Sequence, residues 1–153
     1  WQERFRGCRS SFICSFSINM TVQFSPPRNP RVIIIQKLYG KLFNNEENIT
    51  FPKHRFKKFI KDIVNGTIER EELINIEINN HLEQDLKIKN MDKVFQIIIK
   101  SAIFEFLYKP NTSIKIIINE YLKASNFFID DSQTKYLNAL LDKISKKIRI
   151  SNG

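Results

Sequence analysis

The chain has 153 residues, which is a typical length for a single domain. Its 42% hydrophobic and 27% charged residues exclude a disordered protein, and its 4 glycines and 5 prolines are too few for a turn-rich β-sandwich. No apolar stretch approaches the roughly 20 residues that a membrane-spanning helix needs. The formal net charge of +9 favours a polyanionic partner such as a nucleic acid, although an ordinary basic surface is the alternative.

Residues 1–19 differ from the rest of the chain. They are rich in serine, show no helical periodicity and begin with Trp1, whereas Met20 follows them directly. We expect residues 1–19 to be an upstream or disordered extension and residues 20–153 to form one domain. A secretory signal is the alternative, because three arginines precede a partly apolar stretch. Cys8 and Cys14 both lie in this segment. The remainder therefore has no thiolate metal site or disulfide, as is usual in the cytoplasm, where we expect the protein.

The remaining sequence predicts helices, and their ends are marked by capping signals. Asn29 and Pro30 are a favourable helix start, and Thr50 and Pro52 repeat this pattern. Gly66 is expected just beyond the end of the second helix. Thr67, Ser113 and Asp131 are expected to cap the third, fifth and sixth helices. The predicted helices cover residues 30–43, 52–65, 68–83, 91–108, 114–126 and 132–147.

Apolar residues repeat with the period of a helix even where isoleucine runs resemble strands. Three Ile-Ile-Ile runs occur, at residues 33–35, 97–99 and 116–118. The longer patterns around them have a spacing of three or four residues, which is typical of a helix face. Such stripes are Val32, Ile35, Tyr39 and Leu42 in the first helix, and Leu137, Leu140, Leu141, Ile144 and Ile148 in the last. The sequence therefore predicts one compact all-α domain.

Motifs for catalysis and metal binding are absent from the sequence. It contains no phosphate-binding glycine loop and no nucleophile elbow. His54 and His81 are too far apart to form a paired ligand motif, and we interpret both as surface residues. Asp130 and Asp131 lack partner ligands at a useful spacing, so a helix cap is the better interpretation. We therefore expect no enzyme activity, no metal and no cofactor.

Two groups of basic residues are candidate contacts to nucleic acid. Arg28 and Arg31 lie on either side of the first helix start, where guanidinium groups can bind phosphate or stack on a base. A solvated tail is the alternative for this group. The second group repeats lysine at i, i+4 spacing, where like charges repel and an anionic partner would compensate; a solvated helix face is the alternative. Its members are Lys53, His54, Arg55, Lys57, Lys58 and Lys61.

The C-terminal part of the chain resembles the NusB family of bacterial transcription antitermination factors. Residues 103–107, IFEFL, match the family pattern A-I/L-Y-E-L, and residues 115–120, KIIINE, match K-V-x-I-N-E. Residues 135–143, KYLNALLDK, match K-F-V-N-G-V/I-L-D-K, and the intervals between the three blocks fit without gaps. Residues 31–39, which end in QKLY, resemble the first helix of the family. The acidic residue usual near the start of the long helix is replaced by Phe95.

This resemblance implies a compact helical bundle of about six to seven helices without catalytic activity. NusB-like proteins pair with ribosomal protein NusE, bind the single-stranded boxA element of nascent ribosomal RNA, and join the RNA polymerase elongation complex with other Nus factors. By position, the resemblance assigns RNA contacts to Arg28, Arg31, Lys135 and Tyr136. It assigns partner contacts to Tyr39 and Glu105. Tyr136 has an alternative role as a core residue, because Leu137 and Leu140 follow it.

Two other functions remain open. The first is a NusB-like interaction module with weakened or lost RNA binding, because Pro27 and Pro30 occupy positions where the family often has Arg or Ala. The second is the RNA-binding domain of an rRNA methyltransferase, which would continue into a cofactor-binding α/β domain. Binding to RNA that depends on salt would distinguish the first of these from an antitermination factor.

Overall fold

The computed structural model describes residues 29–45, 48–82 and 88–151. Within these ranges the chain forms one short 3-10 helix, Ile88–Asn90, and six α-helices. The α-helices are α1 (Pro30–Phe43), α2 (Lys57–Glu69), α3 (Glu71–His81), α4 (Lys93–Tyr108), α5 (Ile114–Ser125) and α6 (Asp131–Ser151). The prediction of an all-α fold is confirmed. Arg28 and the extension expected for residues 1–19 lie outside the described residues.

Helix α4 is the centre of the bundle. It packs against all five other α-helices, and twelve of its 16 residues are buried. Consecutive side chains on a helix point about 100° apart, so Ile97, Ile98 and Ile99 can all be buried only where neighbouring helices cover several sides. This arrangement explains why a β-branched run belongs to a helix here. None of the described helices is both long and apolar enough to cross a membrane.

The apolar stripes of the outer helices agree largely with the sequence pattern. All five residues predicted for the stripe of α6 are buried. In α1, Val32 and Ile35 are buried as predicted, together with Ile33, Ile34 and Leu38. Leu42 departs from the prediction because it lies in the last turn of α1, where it is 47% exposed.

Polar residues precede three of the helices, and two of these residues cap the helix start with a side-chain hydrogen bond. Asn29 caps α1 as predicted, since its Oδ1 accepts a hydrogen bond from the backbone N–H of Arg31 at 3.0 Å. Ser113 is the N-cap of α5, but its side chain makes no capping bond. The cap of α6 is Asp130 rather than Asp131. Asp130 Oδ1 accepts from the backbone N–H of Gln133 at 2.7 Å, and the Gln133 side chain accepts from the Asp130 N–H at 3.3 Å.

The predicted start of α2 at Pro52 is wrong, because the helix begins at Lys57. Ile49 and Phe51 pack against the core from a segment without regular structure, so tertiary contacts prevent an earlier helix. His54 then forms the turn into α2. Its carbonyl accepts a hydrogen bond from the Lys57 N–H at 3.1 Å, and its Nδ1 accepts from the Phe56 N–H at 3.0 Å.

The predicted helix end at Gly66 and the cap at Thr67 are also wrong. Both residues are buried inside α2, and the break occurs at Arg70, which ends α2 and precedes α3. No described residue has a positive φ, so Gly66 is not required for a left-handed turn. It is required for space, because a Cβ at this position would lie 2.1 Å from the Phe104 ring. The two helices approach closely at this point.

We expect Gly66→Ala to lower the free energy of unfolding by about 1–3 kcal/mol, the usual effect of overpacking a core. Gly40→Ala is the matched control, because nothing lies within 4 Å of a Cβ added there. It should increase stability by about 0.5–1 kcal/mol, since alanine is favoured over glycine inside a helix. Urea denaturation of both variants measures the difference. A Gly66→Ala protein as stable as the parent would show that Phe104 moves away without cost.

Candidate nucleic-acid interface

The first described residue is fixed to the bundle by its side chain. Besides capping α1, Asn29 donates a hydrogen bond from Nδ2 to the backbone carbonyl of Glu120 in α5, at 3.3 Å. Asn29 therefore links the start of α1 to α5, whereas the predicted RNA contact Arg28 lies outside the described residues.

Arg31 lies inside the bundle rather than on its surface. Its Nε and Nη2 donate to Oε2 of Glu105 at 3.2 and 3.1 Å, and the residue is 8% exposed. The guanidinium carbon is 5.2 Å from the ring centre of Phe59 and 5.4 Å from that of Tyr121. This geometry is typical of a structural ion pair with cation–π contacts. Contact between Arg31 and RNA stays a prediction, and it would require the guanidinium to leave Glu105.

Glu105 is a buried carboxyl whose charge is only partly compensated. The residue is 1% exposed, and its Oε1 has no hydrogen-bond partner among the described residues. Burial raises the pKa of Glu105 to about 7, although Arg31 opposes this shift. Burial also raises the pKa of the neighbouring Tyr121, and the charge of Glu105 adds to the effect. The bundle covers Glu105, so a partner protein could contact it only if the surrounding residues moved. Its partner role stays a prediction.

Lys135 and Tyr136 lie in the first two turns of α6 and are both exposed. The Tyr136 ring stacks on the buried Phe95 of α4, with ring centres 5.6 Å apart and an angle of 18° between the planes. Tyr136 is nevertheless 42% exposed. Phe95 thus supports a ring that remains accessible to an unpaired base, while Lys135 beside it can bind a phosphate.

The predicted RNA contacts do not form one cluster. Tyr136 contacts α4 at Phe95, whereas Arg31 contacts the same helix at Glu105, ten residues further along. At 1.5 Å per residue these two levels of α4 are about 15 Å apart. A single RNA strand would need several nucleotides to contact both.

Tyr39, a predicted partner contact, lies on a separate apolar surface at the end of α1. Its ring centre is 5.0 Å from that of Phe43, which is 65% exposed, and Leu42 beside them is also exposed. We call Tyr39, Leu42 and Phe43 the α1 patch. Exposed large apolar side chains such as Leu42 and Phe43 are typical of protein contacts. Tyr39 itself is partly buried against the core, and its partner role stays a prediction.

Sequence reasoning missed the residues that hold the predicted site residues in place. Phe95 supports Tyr136, and Phe59 and Tyr121 enclose Arg31. One signal for the burial of Arg31 was present, because Arg31 is spaced from Ile34, Ile35 and Leu38 as on one helix face. No group of three or more His, Cys, Asp or Glu within the described ranges is placed to bind a metal ion.

The raised pKa of Glu105 predicts a pH-dependent stability. An unfolded glutamate ionises near its ordinary pKa of 4.5, whereas folded Glu105 keeps its proton up to about pH 7. The folded state therefore binds more protons in this window, and the contribution of Glu105 to the free energy of unfolding decreases as the pH rises from 4.5 to 7. Glu105→Gln removes this titration. Urea denaturation across the window should show a steeper loss of stability in the parent, and parallel curves would contradict the shift.

Arg31→Ala should lower the free energy of unfolding by about 1–3 kcal/mol, because it removes the hydrogen-bond donors of a buried carboxyl, which then stays protonated. Lys123→Ala is the control, since it removes an exposed ion pair with Glu120 that should contribute no more than about 1 kcal/mol. Thermal and urea denaturation measure both effects. An Arg31→Ala protein that keeps its stability but binds RNA less tightly would show that Arg31 acts at the surface.

Comparison with known proteins shows which family the chain resembles. The family model described as NusB family matches residues 28–146. Transcription antitermination protein NusB of Lysinibacillus sphaericus is 32% identical over 89 residues, which cover 58% of this chain and 69% of that protein. The protein of the same name from Rhizobium rhizogenes is 28% identical over 91 residues, 60% of this chain and 57% of that protein. The match thus spans little more than half of the Rhizobium relative.

A solved structure shows the same fold. The structure titled T. maritima NusB has a TM-score of 0.68 with this chain at 20% sequence identity, and the match covers 81% of this chain and 93% of that one. The family model extends from the N-terminal side of α1 into α6, over most of the sequence. The chain therefore belongs to the NusB family.

Proposed function

We propose that this protein is a transcription antitermination factor that binds boxA-type single-stranded RNA of nascent ribosomal RNA transcripts. In this proposal it acts together with ribosomal protein NusE and joins the RNA polymerase elongation complex with other Nus factors, in the cytoplasm. Membership of the NusB family and the names of the similar proteins support this role. The role requires no cofactor and no catalytic group.

The observation that best supports RNA binding is the stacked pair of Tyr136 and Phe95. An aromatic ring that is held from one side and exposed on the other can stack on an unpaired base, which single-stranded RNA offers and duplexes do not. The exposed ammonium group of Lys135 is one residue away and can bind the adjacent phosphate. The pair thus combines the base contact and the phosphate contact that a single strand needs.

The α1 patch is the surface that we propose for the protein partner. It presents three large apolar side chains at the end of a helix, one of which is 65% exposed. Burial of such a group excludes water from an interface, and aromatic residues are frequent among the residues that dominate binding energy. We place NusE on this patch and the RNA on α6.

A second candidate function is a protein-interaction module with weakened or lost RNA binding. The ion pair of Arg31 with Glu105 favours it, because a guanidinium that is buried in the bundle is not available to a phosphate. A pull-down with NusE, in the presence and absence of boxA-type RNA, separates the two. Capture that RNA enhances supports the antitermination factor, whereas capture of NusE without any effect of RNA supports the module.

Tyr136→Ala should weaken binding of boxA-type RNA by about 1–3 kcal/mol, with little change in the salt dependence, because stacking releases no counterions. Tyr136→Phe is the matched control and should bind like the parent, since the ring is retained. Lys135→Ala should instead reduce the slope of log K against log salt by about 0.7, the value for one phosphate contact to a single strand. Fluorescence anisotropy over a series of salt concentrations measures both quantities.

Two outcomes would contradict this assignment. If Tyr136→Ala lowers the melting temperature strongly while Tyr136→Phe does not, the ring is required by the core and its stacking role is wrong. If Tyr136→Ala and Lys135→Ala both bind RNA like the parent and remain folded, the RNA contact does not involve the start of α6.

A further inference from the structure

A cluster of exposed basic residues at the start of α2 is not explained by the surface around Tyr136. Five cationic side chains occur within nine residues, and all five are exposed. They are Lys53, Arg55, Lys57, Lys58 and Lys61, which we call the basic face. None forms an ion pair with an acidic residue in the part of the chain that the structure describes. The adjacent Asp62 is paired with Lys109, at 3.7 Å.

The position of these charges is unfavourable for the helix itself. Lys57 and Lys58 lie in the first turn of α2, which contains no acidic residue, and positive charge at this end opposes the helix dipole. Lys57 and Lys61 also repel each other across one turn. An anionic ligand would relieve both effects, because the acidic residue nearest to these lysines on α2, Asp62, is paired with Lys109.

The surroundings of the basic face suit a nucleic-acid strand. Phe56 is 45% exposed, and the Arg55 guanidinium carbon lies 5.4 Å from its ring centre. Lys61 borders a groove of about 340 Å³ between the end of α1 and α2. The other residues that line this groove are Lys41, Asn48, Ile49, Phe51, Asn65, Ile68 and Glu69. Apolar walls with two amide side chains can accept a base, while the lysines bind phosphates.

The basic face lies at the opposite end of α4 from Tyr136. Gly66 of α2 contacts Phe104, and Asp62 contacts Lys109, so α2 runs antiparallel to α4 and begins near the C-terminal end of that helix. Fourteen residues separate Phe95 from Lys109, which corresponds to about 21 Å along the α4 axis. This distance is on the order of six nucleotides at the stacked spacing of 3.4 Å. The start of α1 lies between the two ends, because Arg31 contacts both Phe59 and Glu105.

We propose that the basic face is a second RNA-binding surface, which holds the nucleotides that flank the element bound at Tyr136. This inference rests on the proposed function, since it extends the path of the same strand. Its basic side chains contact phosphates, and these contacts are independent of base sequence. Flanking RNA therefore increases affinity and salt dependence without changing which element is preferred.

The test compares two RNAs, a boxA-type element alone and the same element with flanking nucleotides on both sides. The basic-face variant is Lys57→Gln, Lys58→Gln and Lys61→Gln together. The control variant, Lys115→Gln together with Lys123→Gln, neutralises two exposed lysines of α5, a helix that packs against α1, α4 and α6. Circular dichroism establishes that both variants are folded, and anisotropy over a salt series measures binding.

With the longer RNA, the basic-face variant should bind about 10- to 100-fold more weakly near 0.1 M salt, and its salt slope should decrease by about 2. Its affinity for the short element should stay within about twofold of the parent. The control variant should bind both RNAs like the parent.

Other results would overturn the inference. If the parent binds the short element through Tyr136 but gains nothing from flanking RNA, or if the two variants weaken binding equally, the basic face is not an RNA surface and the proposed function remains. If the parent binds neither RNA, both proposals are wrong. If the basic-face variant loses binding only to vesicles that contain anionic lipid, the face belongs to a membrane contact instead.

Discussion

The ion pair between Arg31 and Glu105 is the contact on which the arrangement of the bundle depends. Two charged groups that are buried in a core require each other, because neither finds water to replace its partner. Desolvation offsets much of the attraction within such a pair, whereas removal of one partner leaves the other in the core without its hydrogen bonds. Here it fixes the first turn of α1 against the second half of α4, and the rings of Phe59 and Tyr121 restrict the guanidinium further.

Helix content and most buried stripes could be predicted because they depend on periodicity alone. The stripe of α6 is a local property, and every residue predicted for it is buried. The ends of α2 could not be predicted in the same way. Pro52 and Gly66 have the local chemistry of a helix start and a helix end, but Phe51 packs on the core outside the helix and Gly66 makes room for Phe104 inside it. Contacts between residues far apart in sequence decided both positions.

In the candidate site too, some features follow from the local sequence and others depend on contacts between residues far apart in the chain. The exposure of Lys135 and Tyr136 at the start of α6 follows from their place beside the apolar stripe, which the sequence contains. The support of Tyr136 by Phe95 depends on the packing of α6 against α4, and no pattern in either helix indicates it. Arg31 was grouped with Arg28 as a surface cation because charge usually means exposure. Its partner, Glu105, is 74 residues away in sequence, so only the folded chain brings the two together.

The energetics of single-strand binding explain why one stacking residue is not sufficient for the proposed function. A stacked base contributes about 1–3 kcal/mol, whereas a dissociation constant of 1 μM requires about 8 kcal/mol. In the proposed function, Tyr136 and Lys135 alone would therefore give a weak complex, and the buried Arg31 would not add to it in this geometry. The missing free energy has to come from a partner protein bound beside the RNA, from further phosphate contacts, or from both. The exposed apolar patch on α1 and the uncompensated basic face on α2 are two described surfaces whose chemistry would meet those requirements.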